Sequence, residues 1–389
     1  MGATPTTALG ESLSLGVIAT SRKPDERRLP IHPEQLDHVD PELRRRISLE
    51  RGYGRDFGVS DELLAGKVAG LRSREQLFAE CGVILLPKPL AEDLMELPPG
   101  GVLWGWPHAV QDEAIAQAAI DRRLTLIAWE AMHHWTPEGA FGLHVFHKNN
   151  ELAGYCSVLH ALQLVGTTGA YGRRLRAAVI SFGSTGRGAV RALFALGIGD
   201  VTVLTHRSIP AVADPMPLAR LVHYERDRTD LTRAIVLGDA RSRPLARYLA
   251  EYDVIVNCIL QDTDAPLMFI DAEEVEVFSS GTVIVDVSCD RGMGFSWARP
   301  TSFDEPMFTV GPGVRYYAVD HSPSYLWNSA TWEIGEAIVP FLGRVMAGRA
   351  MWETDETIRR AIEIRDGTVQ NPKILSYQRR AAEFPHRRR

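Results

Sequence analysis

Residues 176–207 read RAAVISFGSTGRGAVRALFALGIGDVTVLTHR, and this stretch decides the fold. An apolar run ends in a glycine-rich turn at 183–188, an amphipathic stretch follows, and a second apolar run covers 201–204. A strand, a glycine-rich turn, a helix and a second strand in this order predict a βαβ unit, the nucleotide-binding half of a Rossmann fold. Two glycines occur in any tight turn, so the prediction depends on the flanking strand and helix.

The turn predicts where a dinucleotide binds. Gly183 and Gly188 match the first and last glycines of a GxGxxG motif, whereas Thr185 takes the place of the middle one. Backbone N–H groups at the start of the helix point at the pyrophosphate, and the helix dipole favours its charge. We therefore expect cofactor contacts along the turn and at the ends of two later strands: Gly183, Ser184, Thr185, Gly186, Arg187 and Gly188, then Asn257, Cys258, Ile259 and Asp286.

The end of the second strand indicates NADP as the cofactor. Proteins that bind NAD usually carry Asp or Glu there, which binds the ribose 2′-hydroxyl group. This chain has His206, Arg207 and Ser208 instead, and the next carboxylate is Asp214. A cationic loop with a hydroxyl group favours a 2′-phosphate, so we expect NADP. NAD is possible if the loop charge only faces solvent.

Composition is typical of a globular protein with two domains. The 389 residues are 45% hydrophobic and 24% charged, with a formal net charge of −6, which argues against nucleic-acid and membrane-surface partners. The four cysteines lie far apart and show no zinc spacing, so we predict no metal site and a cytoplasmic protein with reduced thiols.

Two α/β domains are predicted, each with a doubly wound parallel sheet. Strand and helix signals alternate over 14–150, and the glycine turn belongs to a dinucleotide-binding domain at 151–319. A long apolar-faced helix at Tyr325–Gly348 carries too much hydrophobic surface to stand alone. We expect this C-terminal helix to return to the first domain, so that 320–389 completes the substrate domain.

Four segments outside the glycine turn also carry predictions. A helix is expected from Pro33 to about Arg46, and 210–231 is expected to be polar and irregular. Residues 1–13 are expected to be disordered, and the tail from Ala381, which ends in Pro-His-Arg-Arg-Arg, is expected to be frayed.

Lys88 and His108 are the first candidates for chemistry, because ligands of open α/β sheets bind beyond the carboxyl ends of the strands. The chain has 38 arginines and only five lysines, and Lys88 directly follows an apolar strand. A partly desolvated lysine can release its proton, whereas arginine cannot. His108 has a side chain suited to general acid–base catalysis. Arg28 follows the first strand and is a candidate carboxylate ligand. Each of the three also has a purely structural interpretation.

Several separated segments resemble the alanine dehydrogenase/transhydrogenase superfamily. They are the glycine-turn unit, the stretch 283–308 and AVDHSPS at 318–324. Within that superfamily the resemblance is greatest to the N5-(carboxyethyl)ornithine synthases, with some similarity to saccharopine dehydrogenases. This second resemblance is carried by ERRLPIHP (26–33), LLPKPL (85–90), GWPHAV (105–110) and VDHSPS (319–324).

The resemblance implies an NAD(P)H-dependent oxidoreductase that acts on CH–NH bonds and condenses a 2-oxo acid with an amino group. It implies that Arg28 and Lys88 hold the carboxylate of the oxo acid and that His108 is the general acid–base. Asp290 would lie beside the nicotinamide and the reacting carbon. The expected partners are small-molecule substrates and further copies of the chain, in a homodimer or larger homo-oligomer.

Asp320 and His321 separate the alternatives that the resemblance leaves open. They replace an Ala-Asn pair of simple alanine dehydrogenases, which favours an amino acid such as ornithine or lysine over ammonia as the amine donor. The alternative is that they pair with each other and only brace the domain hinge. Reductive amination with ammonia and a non-catalytic dinucleotide-binding regulator are the competing functions.

Overall fold

The computed structural model describes residues 12–136, 138–206, 216, 218–237 and 242–389. Contacts divide the chain into two compact units: Met1–Phe146 with Trp327–Arg389, and His147–Leu326. In the described part of the chain no helix combines the length and the apolar character needed to cross a membrane.

The first segment of the chain alternates strands and short helices. Its strands are β1 (Leu15–Val17), β2 (Ile47–Glu50), β3 (Gly70–Arg72), β4 (Val83–Leu85), β5 (Val102–Gly105), β6 (Thr125–Ala128), β7 (His133–Trp135) and β8 (Phe141–His144). Its helices are α1 (Pro41–Arg44), α2 (Asp61–Ala65), α3 (Arg74–Glu80), α4 (Ala91–Glu96) and α5 (Glu113–Asp121).

The second unit follows the same alternation with longer helices at its start. Its helices are α6 (His147–Leu164), α7 (Ser184–Ala195) and α8 (Leu245–Leu249). Its strands are β9 (Arg176–Ile180), β10 (Asp200–Thr205), β11 (Arg220–Arg226), β12 (Ala234–Val236), β13 (Arg243–Pro244), β14 (Val254–Asn257), β15 (Met268–Ile270), β16 (Val283–Asp286), β17 (Gly294–Phe295), β18 (Met307–Val310) and β19 (Val314–Tyr317).

The chain then returns to the first unit, as predicted. The returning elements are α9 (Trp327–Ile338), α10 (Leu342–Met346), α11 (Arg349–Thr354), α12 (Glu356–Ala361), β20 (Ile362–Arg365), β21 (Thr368–Val369) and α13 (Pro372–Tyr377). Ile334, Ile338 and Leu342 are buried in the same core as Leu15 and Val17 of β1, which is where the apolar face of the predicted helix is covered.

Both large sheets have the strand order of a doubly wound fold, which confirms the predicted fold class. In the first sheet β3-β2-β1-β4-β5-β6 are parallel, and β20 and β21 extend the β6 edge in antiparallel fashion. In the second sheet β11-β10-β9-β14-β16-β19 are parallel, with antiparallel β12, β13 and β18 at the edges. Each parallel set therefore follows the order 3-2-1-4-5-6.

Both faces of each sheet are covered. In β4, Val83 and Leu85 belong to one hydrophobic core and Ile84 to another. In β9, Ala178 and Ile180 belong to one core and Val179 to a second. Alternate side chains of a strand point to opposite faces, so these strands are apolar throughout because helices cover both sides.

Two predicted helices are interrupted at prolines. The helix expected over 33–46 is a 3₁₀ turn at Pro33–His38 followed by α1, because Asp40 precedes Pro41 and adopts an extended conformation with ψ of 132°. The helix expected over 325–348 ends its α9 part at Ile338 and continues as α10 after Pro340, which has no N–H group to donate.

Two segments expected to lack structure are ordered where the structure describes them. The stretch 210–231 contains β11, the third strand of the second parallel set. In the tail, His386 is buried and accepts a hydrogen bond from the backbone N–H of Val369, and Arg380 is buried beside it. The expected disorder of the first residues lies almost entirely outside the described part of the chain.

Candidate active site

The glycine turn connects β9 to α7 in the second unit, and its geometry corrects the predicted motif register. Ser181 has a φ of +82°, which places a non-glycine residue in the left-handed region directly after the strand. Gly183 is the N-cap of α7, and a Cβ atom on Gly186 would collide with the carbonyl oxygen of Ser181. The motif therefore runs Ser181-x-Gly183-x-x-Gly186, and Thr185 does not occupy a glycine position.

Each motif position has the role that a dinucleotide turn requires. The first makes the tight turn, the second lets the backbone approach the pyrophosphate, and the third allows close packing of helix on strand. A Cβ atom on Gly183 would have no atom within 4 Å, so space is open at the approach position. Gly188 packs α7 against α6, where a Cβ atom would collide with the carbonyl oxygen of Glu151.

The residues at the turn fit a dinucleotide phosphate group. The first N–H groups of α7 have no acceptor inside the helix, and the helix dipole adds positive potential at this end. The helix has 12 residues, so several turns of peptide dipoles are aligned. The Arg187 guanidinium lies 4.4 Å from the centre of the Phe182 ring and adds a positive charge at the turn.

The loop that is predicted to favour NADP over NAD begins at His206. His206 is exposed after β10, with its ring centre 6.1 Å from that of Tyr224. Arg207 and Ser208 lie outside the described residues. The expected 2′-phosphate contact therefore stays a prediction.

Asp286, at the end of β16, is the centre of a buried hydrogen-bond network. Its side chain is fully buried and accepts hydrogen bonds from the Tyr316 hydroxyl group (2.5 Å), the Asn257 side-chain amide (2.9 Å) and the Cys289 backbone N–H (3.1 Å). Burial raises the pKa of Asp286 to about 6, although these three donors oppose the shift. The network orients the loop that leads to Asp290. Asp286 and Asn257, two of the predicted cofactor contacts, are thus bonded to each other inside this network, and the neighbouring Cys258 and Ile259 are also largely buried.

Asp290 lies in the loop after β16 and is partly buried. Burial raises the pKa of its carboxyl group to about 6. The preceding residue, Cys289, has a φ of +47°, so the loop is held in an uncommon conformation just before the candidate residue. Uncommon backbone conformations of this kind concentrate at functional sites.

Asp320 and His321 pair with each other. Asp320 Oδ1 lies 2.6 Å from His321 Nδ1, and the His321 ring is buried while the Asp320 side chain is 24% exposed. The next residue is fixed to α6, because the Ser322 hydroxyl group accepts from Ser157 and donates to the Ala153 carbonyl oxygen. The predicted pairing of the two side chains is therefore present, and 24% of the Asp320 side chain remains exposed.

Lys88 and His108 follow neighbouring parallel strands of the first unit, β4 and β5. The two loops are joined by a hydrogen bond from the Trp106 N–H to the Pro87 carbonyl oxygen (2.8 Å). Lys88 is partly buried, whereas the His108 side chain is 41% exposed. His108 has a φ of +49°, a strained conformation that its neighbours must hold in place.

Glu130 holds His108 and was missed by the sequence interpretation. Its Oε1 atom accepts a hydrogen bond from the His108 backbone N–H (2.7 Å) and lies 3.8 Å from His108 Nδ1. Burial and the nearby Glu363 raise the pKa of Glu130 to about 8, while Lys88 opposes the shift. Glu130 stands two residues after β6, so the rule that identified Lys88 and His108 at strand ends also applies to it.

Arg28 lies beyond the end of β1 but already has a carboxylate partner. Its Nε donates to Glu26 Oε1 (2.8 Å) and its Nη2 to Glu26 Oε2 (2.5 Å), and both side chains are buried. The guanidinium also lies 5.1 Å from the centre of the Trp106 ring. The predicted substrate carboxylate would therefore have to share Arg28 with Glu26.

The histidines of the hairpin β7–β8 contact the neighbouring backbone and each other. His144 Nδ1 accepts the Phe146 backbone N–H (3.1 Å), so its Nε2 carries the proton and donates to the Glu130 carbonyl oxygen (3.2 Å). Burial and the neighbouring His134 lower the pKa of His133 to about 4. Among the described residues no group of three or more His, Cys, Asp or Glu side chains is placed to hold a metal ion.

Family models and relatives match nearly the whole chain. The model of the alanine dehydrogenase/PNT N-terminal domain matches residues 16–153, and that of the C-terminal domain matches residues 173–372. An N(5)-(carboxyethyl)ornithine synthase of Clostridium botulinum is 22% identical, over 81% of this chain and 89% of that protein. An alanine dehydrogenase of Mycobacterium tuberculosis is 24% identical, over 92% of this chain and 95% of that protein.

A further relative and a solved structure, both alanine dehydrogenases, are also similar to this chain. An alanine dehydrogenase of Halomonas elongata is 27% identical over 74% of each chain. A solved L-alanine dehydrogenase superposes with a TM-score of 0.72 at 19% identity, covering 94% of this chain and 98% of that one. The structural likeness establishes the fold.

Proposed function

Because the chain belongs to the alanine dehydrogenase/PNT family and is a dinucleotide-dependent oxidoreductase of that family, we propose that it condenses a 2-oxo acid with an amino acid. The product is an N-(carboxyalkyl)amino acid, formed with NADPH through an imine. The observation that carries the proposal is the placement of Lys88, His108 and Glu130 beyond the ends of three successive parallel strands, β4, β5 and β6.

In this proposal Lys88 and His108 act on the oxo acid. The Lys88 ammonium group binds its carboxylate, because a partly buried cation pairs well with a single negative charge. His108 Nε2 accepts a proton when the neutral amine attacks the carbonyl carbon, and returns a proton when water leaves to give the imine. Bound NADPH supplies the hydride that reduces the imine. Glu130 fixes the backbone of His108 during these steps.

Asp320 distinguishes an amino-acid donor from ammonia. Its carboxylate is paired with His321 but remains partly exposed, so it attracts the second ammonium group of a basic amino acid. Ammonia has no second charge and gains nothing from this contact. We therefore place ornithine or lysine before ammonia as the amine donor.

The test is an assay of NADPH oxidation over a matrix of 2-oxo acids and amines. The matrix includes pyruvate, 2-oxoglutarate and glyoxylate, each with ornithine, lysine, neutral amino acids and ammonia, and each reaction is repeated with NADH. Turnover that requires both an oxo acid and an amino acid supports the proposal. If ammonia is the only amine that supports turnover, the reaction is reductive amination instead. If no pair of substrates supports NADPH oxidation, a non-catalytic dinucleotide-binding role remains.

Lys88→Met tests the carboxylate contact. The substitution removes a charge-assisted hydrogen bond worth about 1.5–3 kcal/mol, so kcat/KM for the oxo acid should fall about 10- to 100-fold, mainly through KM. Lys67→Met is the matched control, because Lys67 pairs with Asp37 on the surface of the same unit. An equal loss in both variants, or none in Lys88→Met, contradicts the assigned contact.

A further inference from the structure

Glu363 is a second buried carboxylate beside Glu130, and the chain's return to the first unit brings it there. It lies in β20, which pairs with β6 through Ile362 with Ile127 and Ile364 with Leu126. Glu130 follows β6 by two residues, and the charge of Glu363 acts on it there. Glu363 is 3% exposed, and its Oε1 accepts a hydrogen bond from the Asn371 side-chain amide (2.8 Å).

Each glutamate has one oxygen atom with nothing to bond to among the described side chains and backbone groups. Glu130 Oε2 and Glu363 Oε2 are both buried and have no hydrogen-bond donor there. An ionised oxygen without a donor is costly to bury, and two ionised carboxylates side by side repel each other. A single proton held between them removes both penalties, as in other close carboxyl pairs.

We propose that Glu363 is a positioning residue that shares one proton with Glu130, so that the pair presents one negative charge to Lys88 and His108. The first half of this inference concerns only the folded protein, and the second half rests on the proposed function of His108. The raised pKa values, about 8 for Glu130 and about 7 for Glu363, agree with a proton retained at neutral pH.

The charged groups around Glu130 and Glu363 agree with a pair that carries one negative charge. Lys88 contributes a positive charge on one side, and His108 approaches through its backbone N–H and its Nδ1 atom. His144 contacts the Glu130 backbone as a neutral ring, and Asn371 faces Glu363 as a neutral amide. With one shared proton, the pair carries one negative charge, and the positive charge of Lys88 balances it. With none, an extra negative charge would hold a proton on His108 and prevent it from acting as a base.

The shared proton can be measured without any substrate. The native pair binds protons more tightly than the unfolded chain, where the pKa of Glu lies at its ordinary 4.5. Wild-type stability should therefore fall as the pH rises from about 4.5 through about 8. Glu363→Gln removes one carboxyl group and lowers the pKa of the other, because the repulsion from Glu363 is lost. Its fall in stability should be shallower, with about one proton fewer released on unfolding.

The pH dependence of kcat/KM tests the action on His108. In Glu363→Gln, Glu130 is ionised at neutral pH, and its charge raises the pKa of His108. The acidic limb of the profile should move to higher pH, whereas a purely structural role would lower the activity at all pH values alike. If Glu363→Gln loses the shared proton but the acidic limb of its kcat/KM profile does not move, the positioning role is wrong. Absence of turnover with every substrate pair would overturn only the proposed function.

Two further variants keep the test decisive. Asn371→Asp retains an oxygen to cap α13 but replaces the donor to Glu363 with a negative charge, so the pair should hold its proton to higher pH. Glu356→Gln is the matched control, because the Glu356 side chain lies at the surface of α12, and it should reproduce the wild-type pH dependence. If Glu363→Gln or Asn371→Asp has the same pH dependence of stability as the wild type, no proton is shared and the inference is wrong.

Discussion

Replacing Ser181 with glycine should stabilise the dinucleotide-binding unit, because serine occupies a position of the turn that glycine normally fills. The backbone of Ser181 has a φ of +82°, and its N–H donates to the Leu204 carbonyl oxygen (2.8 Å). Within the described residues its hydroxyl group makes no hydrogen bond that the substitution would remove. The change therefore alters the backbone energetics and little else.

The magnitude follows from two opposing effects. A residue with a Cβ atom in the left-handed conformation costs about 1–2 kcal/mol relative to its preferred conformations, and glycine avoids this cost. Glycine in turn makes the unfolded chain more flexible, which costs about 0.4–1 kcal/mol. The net gain is about 1 kcal/mol, which corresponds to a rise in Tm of about 2–4 °C for a unit of this size.

Urea unfolding followed by intrinsic fluorescence and by circular dichroism measures the effect. The midpoint for the second unit should rise with an unchanged m-value, since the surface exposed on unfolding is the same. Ser184→Gly is the matched control, because Ser184 begins α7 and should lose about 0.5 kcal/mol of helix propensity. A Ser181→Gly midpoint at or below that of the wild type would refute the claim that Ser181 is strained.

Two further predictions concern the cofactor and the amine. Arg207→Asp should weaken NADPH binding by about 1–3 kcal/mol and leave NADH binding nearly unchanged, as measured by fluorescence titration; equal affinities of the wild type for both cofactors would contradict the assignment. Asp320→Ala should lower kcat/KM for ornithine with pyruvate more than kcat/KM for ammonia with pyruvate. Equal losses would mean that the pairing of Asp320 with His321 only braces the loop.

The regular elements were predictable from the sequence because hydrophobic periodicity records burial. The apolar runs at β4, β5, β9 and β14 are continuous because these strands are covered on both faces. β11 was missed since most of its residues are only half-buried and charged residues stand at both of its ends. The tail was misjudged because polar contacts hold it: His386 is buried, its Nε2 accepts the Val369 N–H and its carbonyl oxygen accepts from Arg380.

The candidate site was predictable only where residue type and strand position agree. Lys88 and His108 were identified because each follows an apolar strand and has a side chain suited to proton transfer. Glu363 could not be identified, because it reaches the first sheet only when β20 pairs with β6, more than half of the chain away in sequence. The motif register was misread since glycine identity was used as a substitute for backbone conformation, and Ser181 adopts the conformation without being glycine.

The Glu50 carboxylate gives a physical reason why the two sheets, which share one strand order, are expected to bind different ligands. In the first unit the loop after β1 has no glycine turn, and Glu50 at the end of β2 accepts the backbone N–H groups of Ala19 (2.7 Å) and Thr20 (2.9 Å). Those N–H groups stand where the second unit leaves the start of α7 open to a phosphate. Because Glu50 neutralises them internally, an added phosphate would meet a carboxylate there and be repelled. We therefore expect the first unit to bind a small substrate at Lys88 and His108, and the turn at Gly183 to bind the dinucleotide.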